Sequence, residues 1–250
     1  MKWIAQGLLA RLFVAAGILL LVAAAGAHAA VIRSPVSATA GSQFSADFAI
    51  GNIIDQSGLG VGFTSGVDDF DDYLALDPAH AFESVGNEWF SQMGDTSATL
   101  TFDLGGVFRV DRMALWNEEF SGIGAFDLAL SEDGASFTTV ASGWMPADNP
   151  PAMDYAAEIF GLTPASARFV RLDVSGCPQP SGGAEPLCGL GEIAFSTHVV
   201  PEPGAAGLVA LGLGILAVRR RARGCTGWPA STTRPRAASS RCRRATAWRR

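Results

Sequence analysis

From residue 97 onward the chain alternates apolar and polar residues with a period of two. It does so in short runs broken by Gly, Asp and Pro. In SATLTFDLG, Leu100, Phe102 and Leu104 alternate with Thr101 and Asp103; in ARFVRLDVSG, Val170, Leu172 and Val174 alternate with Arg171 and Asp173. GAFDLALSED offers Phe126, Leu128 and Leu130 to one face, and GEIAFS offers Ile193 and Phe195. Successive side chains of a strand point to opposite faces, so this pattern builds half-buried strands and does not suit an amphipathic helix. Ser131-Glu132-Asp133-Gly134 is a turn signal ahead of Phe137 to Val140, which predicts a hairpin. Short strands with Gly, Asp and Pro loops predict an all-β sandwich, and residues 31–197 suffice for a single core.

The two ends follow other rules. Residues 1–30 carry a basic start (Lys2, Arg11), an apolar run from Leu12 to Ala25, and Ala27-His28-Ala29 before Ala30. That is the composition of a secretory signal peptide cut near Ala29 or Ala30, so the remainder is expected to be exported. Residues 31–200 hold 23 acidic residues, five arginines and no lysine, whereas 11 arginines and no acidic residue follow Val218. An acidic body repels nucleic acid and anionic membrane surfaces; a basic tail after an apolar segment marks the cytoplasmic end of a membrane helix. The apolar segment Gly204 to Val218 makes roughly 22 Å of helix, short against about 30 Å of hydrocarbon.

Val200-Pro201-Glu202-Pro203, then Gly204 to Val218, then Arg219, Arg220, Arg221 and Arg223 resemble the PEP-CTERM sorting signal. The resemblance implies recognition and cleavage by an exosortase in a Gram-negative bacterium that makes extracellular polysaccharide. The protein would be anchored in the inner membrane before processing and would then reach the cell surface or extracellular matrix. Such signals end soon after the arginines, whereas this chain continues through a basic, acid-free segment, 224–250. That composition suggests a disordered extension, and an extended reading frame explains it equally well. The expected organisation is therefore a signal peptide (1–30), a β domain (31–197), a sorting signal (198–223) and the basic extension.

Within the β domain, Trp89, LTFDLGGVFRVDRMALWNE (100–118), FDLALSEDGASF (126–137), ARFVRLDV (167–174) and GEIAF (191–195) resemble the coagulation factor V/VIII type C, or discoidin, domain. The resemblance implies an eight-stranded jelly roll of the galactose-binding-like class, whose loops bind sugars, lipids or proteins. It also assigns Trp89 to plugging the bottom of the sandwich.

Several residues are candidates for a site. Asp68, Asp69, Asp71, Asp72 and Asp77 crowd the stretch VDDFDDYLALD, where a hard cation such as calcium would relieve their repulsion. A solvated acidic loop is the equal alternative. In discoidin-like modules a structural calcium joins an N-terminal loop to a late glutamate, which makes Asp69, Asp71 and Glu192 the expected ligands. For sugar binding the candidates are Trp116, Asn117, Glu118 and Trp144, since aromatic faces stack on sugars while Asn and Glu bond hydroxyls. Trp116 also continues the strand through Met113 and Leu115, which favours burial in the core. Cys177 and Cys188 flank the loop CPQPSGGAEPLC and are expected to pair in an oxidising compartment.

No nucleophile motif or phosphate loop accompanies these residues, and the expectation is a binding protein, not an enzyme. Two functions stay open: a matrix carbohydrate-binding protein whose partner is extracellular polysaccharide, and a structural surface protein acting through protein contacts.

Overall fold

A computed structural model describes residues 30–183 and 185–200. The segments expected to be a signal peptide and, from Pro201 onward, a sorting signal and basic extension lie outside the described residues. Ten strands follow one another: β1 (Val31–Arg33), β2 (Ser37–Ala40), β3 (Ala79–His80), β4 (Trp89–Phe90), β5 (Ser97–Asn117), β6 (Ala125–Ser131), β7 (Thr138–Trp144), β8 (Tyr155–Ala156), β9 (Glu158–Ser175) and β10 (Gly189–Val199). Among the described residues the helical content is a 3-10 turn at Ile50–Ile54 and one short helix, α1 (Phe70–Leu74). No described helix is long and apolar enough to cross a membrane.

Two long strands make the sandwich by folding over. The first half of β5, Ser97–Asp103, pairs with β2 and with the second half of β9. After a register break the second half, from Phe108, pairs with β10 and with the first half of β9. Gly105 sits at that break with φ +81°, in the left-handed region that favours glycine, and a Cβ there would lie 2.9 Å from Val36. One layer is therefore β2, β5, β9, β6 and β7, and the other is β1, β10, β5 and β9, with every pairing antiparallel.

The period-two runs supply the interior. Leu100, Phe102, Leu128 and Leu172 from one layer pack with Met113, Leu115, Ile193 and Phe195 from the other. Phe102 and Phe195 meet across the gap with centroids 6.2 Å apart. Burial of each such side chain stabilises by about 1.5–3 kcal/mol. Trp89 lies in this core, fully buried, with its indole N–H donating to the Ser42 carbonyl at 3.1 Å. The hairpin of β6 and β7 forms around Ser131–Gly134, where Asp133 accepts from the backbone N–H of Ala135 and Ser136.

One layer has more cover than alternation alone predicts. β10 is buried on both faces from Gly189 through Thr197. The segment between the 3-10 turn and β3 folds over its outer side and forms a second core of Ile32, Phe63, Phe70, Tyr73, Ala114, Trp116, Tyr155 and Ala194. The acidic stretch thus does more than solvate: Phe70 and Tyr73 of α1 face inward while Asp71 and Asp72 face out.

Because β5 folds over, Ser97 and Asn117 lie at the same end of the sandwich. The loops after β2, before β4, after β5 and before β10 gather there, joined by Gly189 N–H to Ser121 O at 2.6 Å and Phe44 N–H to Phe90 O at 2.8 Å.

Candidate functional site

The loop after β5 is organised by its own carboxylates. Glu118 accepts from the backbone N–H of Phe120 at 3.0 Å and from that of Ser121. Glu119 reaches across to the N–H of Glu83 at 2.9 Å, and Glu88 accepts from Ser84 N–H at 3.0 Å. Of these three buried carboxyl groups, Glu119 ties the loop before β4 to the loop after β5, while Glu118 and Glu88 each brace their own loop. Asn117 braces the same region, accepting from Ile123 N–H at 2.9 Å and donating to Ile123 O and Ala147 O, both at 3.2 Å.

Burial sets the charge of this layer. Loss of water, reinforced by Glu119, raises Glu118 to about 9 and Glu88 to about 8, so both are protonated at neutral pH. Tyr155 stacks on His80 at 5.0 Å, and its hydroxyl is pushed well above its usual range by burial and then by Glu88, Glu118, Glu119 and Glu192. His80 is held below its ordinary value by burial. Glu88 Oε1, Glu119 Oε2, Tyr155 OH and His80 Nε2 are buried with no hydrogen-bond partner. Backbone must pack tightly here: a Cβ on Gly191 would lie 2.3 Å from the Tyr155 hydroxyl.

Above this layer opens a pocket of about 320 Å³. Phe44, Phe48, Phe90 and Phe120 wall it, with Glu83, Ser121 and Glu185 as its polar side chains. Phe48 lies 4.8 Å from Phe90 and 6.1 Å from Phe44, centroid to centroid, so the rings form a continuous apolar surface. Phe44 is 48% exposed, an unusual display for a phenylalanine that the fold could have buried. The Cys177–Cys188 disulfide, with Cα atoms 4.9 Å apart, closes the loop that carries Glu185 and Leu187 to the rim. Gly183 N–H donates to Phe120 O at 2.7 Å and joins that loop to its neighbour.

The four residues expected to touch a sugar occupy other places. Trp116 is 0% exposed because it points to the outer face of β5, where the second core covers it and Pro78 O accepts its indole N–H at 2.8 Å. Asn117 and Glu118 are buried beneath the pocket as its supports. Trp144 is half-buried, stacked on Phe160 at 5.4 Å and edge-on to Phe126 at 5.8 Å, and does not line the pocket. The stretch WNEEF thus runs from the outer core, through the buried supports, to the pocket at Phe120. What the sequence reading missed are Phe44 and Phe48, whose loop follows no strand period, and Phe90, whose strand β4 of two residues is too short to show alternation.

The three expected calcium ligands are not brought together. Asp69 caps α1, accepting from the N–H of Asp71 at 2.9 Å and of Asp72 at 3.0 Å. Asp71 forms a bidentate ion pair with Arg112, which also lies over the Phe70 ring at 4.6 Å. Both acids are thus occupied without a metal. Glu192 differs: buried on β10, it accepts from Gln56 N–H at 2.8 Å through Oε2, while Oε1 has no partner. Its acidity is weakened first by burial and also by Asp55, whose Oδ1 caps Ser57 N–H at 2.9 Å. Asp55 and Glu192 thus bring two carboxyl groups near one another at this turn, hard oxygen donors of the kind calcium favours. Among the described residues no three His, Cys, Asp or Glu side chains form a metal-holding group.

No family model matches the sequence, and no curated protein matches it either. Solved structures do. CpGH89CBM32-5 from Clostridium perfringens, in complex with GalNAc-β-1,3-galactose, is 16% identical with a TM-score of 0.42, the match covering 67% of this chain and 99% of that one. Chitosan-binding module 1 from a chitosanase/glucanase of Paenibacillus sp. IK-5 is 19% identical with a TM-score of 0.43, covering 67% and 98%. The CBM32 of AlyQ, in complex with 4,5-unsaturated mannuronic acid, is 19% identical with a TM-score of 0.40, covering 67% and 98%.

Proposed function

We propose that this chain is a carbohydrate-binding protein of the cell surface or extracellular matrix, and that the phenylalanine-walled pocket at the end of the sandwich is its sugar site. The observation that carries the reading is a concave aromatic surface left open to solvent, with Phe44 exposed over buried Phe90, and carboxylate and hydroxyl groups at its edge. The apolar face of a pyranose stacks on such rings while Glu83, Ser121 and Glu185 bond its hydroxyls. The supporting layer is fixed by hydrogen bonds to backbone N–H groups, which pre-organises the loops and limits the ordering lost on binding.

The reading is of binding and not of catalysis. Glu88 and Glu118, two buried carboxyl groups with raised values, are covered and tied to backbone, so they support the loops and do not meet a sugar, while Glu83, raised as well, is read as a hydrogen-bonding group at the edge of the pocket. The PEP-CTERM-like ending and the signal-peptide-like start add a destination: export, exosortase processing, and residence among extracellular polysaccharide. Calcium belongs to the proposal as a structural ion, with Glu192 and Asp55 as its carboxylate ligands. When bound it would supply the positive charge that the buried Glu192 lacks.

The test is equilibrium binding of the full chain to a panel of bacterial and plant polysaccharides, with Phe44→Ala alongside. Stacking by one ring is worth about 1 kcal/mol, so the variant should bind about fivefold more weakly. Its folding should be untouched, because the ring is already half in water. Binding that is equally strong in Phe44→Ala, or absent for every polysaccharide, would refute the assignment of the pocket.

A further inference from the structure

The pocket has a charge as well as a shape. Among the described residues its ionisable side chains are Glu83 and Glu185, both exposed. A further acid stands behind Glu83: its own N–H is held by Glu119, which lies close enough to interact with it electrostatically. Partial burial first, and Glu119 after it, oppose ionisation of Glu83, and a cation entering the pocket would favour its charged form.

Among the described residues no cationic side chain lines this pocket. Residues 31–200 contain no lysine. Arg112 is paired with Asp71, Arg168 with Asp103 and Arg171 with Asp173, while Arg33 lies over the Phe108 ring at 3.9 Å. Arg109 sits on β5 opposite His198. The aromatic walls act in the same direction as the carboxylates, because the face of a phenyl ring is the negative part of its quadrupole and attracts ammonium groups. Two carboxylates and four aromatic rings around one pocket are the chemistry of an ammonium site, and an anionic sugar entering it meets repulsion on every side.

Resting on the reading of this pocket as a sugar site, we infer that it selects saccharides carrying a free, protonated amine, that is, polymers of de-N-acetylated hexosamine, over their N-acetylated and uronic acid counterparts. The ammonium sits between Glu83 and Glu185 while the sugar ring lies on the phenylalanines. A lysine side chain offers the same charge but lacks the flat apolar face that a pyranose presents to the rings, so the sugar is the favoured ligand.

The experiment measures binding of the full chain to matched glucosamine, N-acetylglucosamine and galacturonate oligomers and to a lysine-rich peptide, at low and high salt. The glucosamine oligomer should bind at least about tenfold more tightly than the N-acetylated one at low salt, and the preference should shrink as salt screens it. Glu83→Gln and Glu185→Gln, both at exposed positions, should each move the preference toward unity. Equal or tighter binding of the N-acetylated or galacturonate oligomer would overturn the inference and leave the sugar site standing. Peptide binding as strong as that of the glucosamine oligomer would also overturn it. If no oligomer binds in a way that Phe44→Ala weakens, the sugar site itself fails.

Discussion

Glu118 and Glu88 make stability depend on pH in a direction opposite to that of ordinary surface carboxylates. Each keeps its proton in the fold up to about 9 and 8, respectively, whereas the unfolded chain loses those protons near 4.5. Between those limits the folded state binds more protons, so stability falls as pH rises toward 8 or 9. Buried Glu192 adds to the same trend, and His80, held neutral, works against it only below about 6.5. The melting temperature should therefore drop between pH 6.5 and 8.5, and the drop should shrink in Glu118→Gln. A flat or rising profile across that window would show that these carboxyls are not protonated. Trp116 gives a second test at this scale: Trp116→Ala should cost about 3–5 kcal/mol in chemical denaturation, the usual range for an emptied core position. A sugar-contacting tryptophan on the surface would cost far less.

Among the elements, what the sequence shows depends on whether one rule or several govern a segment. Leu100, Phe102, Leu128, Leu172 and Phe195 lie on one face of their strands, and their alternation alone places them in the interior. Trp116 obeys the same alternation, yet its opposite face is buried too, because Phe70 and Tyr73 arrive from a distant segment. Alternation within one strand carries no information about that cover. The pocket was half legible: the turn following WNE was readable as a loop, whereas Phe44 and Phe48 approach Phe90 only through the hydrogen bonds that bring the loop after β2 against β4. In the acidic stretch, the helix cap made by Asp69 and the ion pair of Asp71 with Arg112 depend on partners that the spacing of the carboxylates does not show. The loop closed by Cys177 and Cys188 makes its own prediction. Reduction should destabilise the domain by roughly 2–3 kcal/mol on the chain-entropy account. It should also weaken polysaccharide binding, because Glu185 and Leu187 ride on that loop.

At the scale of the molecule, a strongly acidic sandwich with one aromatic opening suits a protein that must stay soluble and select its ligand among many polymers. Calcium would act on the whole domain through Glu192, so melting with calcium and then with chelator should show a higher temperature in calcium. An unchanged temperature together with no bound metal by elemental analysis would remove the ion from the account. The central claim, that the phenylalanine pocket holds sugar, is tested most directly by saturation-transfer NMR on the full chain with a glucosamine oligomer. Saturating the phenylalanine ring protons should transfer magnetisation to the ring protons on one face of the sugar, and the transfer should fall sharply in Phe44→Ala. No transfer, or transfer of equal size in the variant, would contradict the claim.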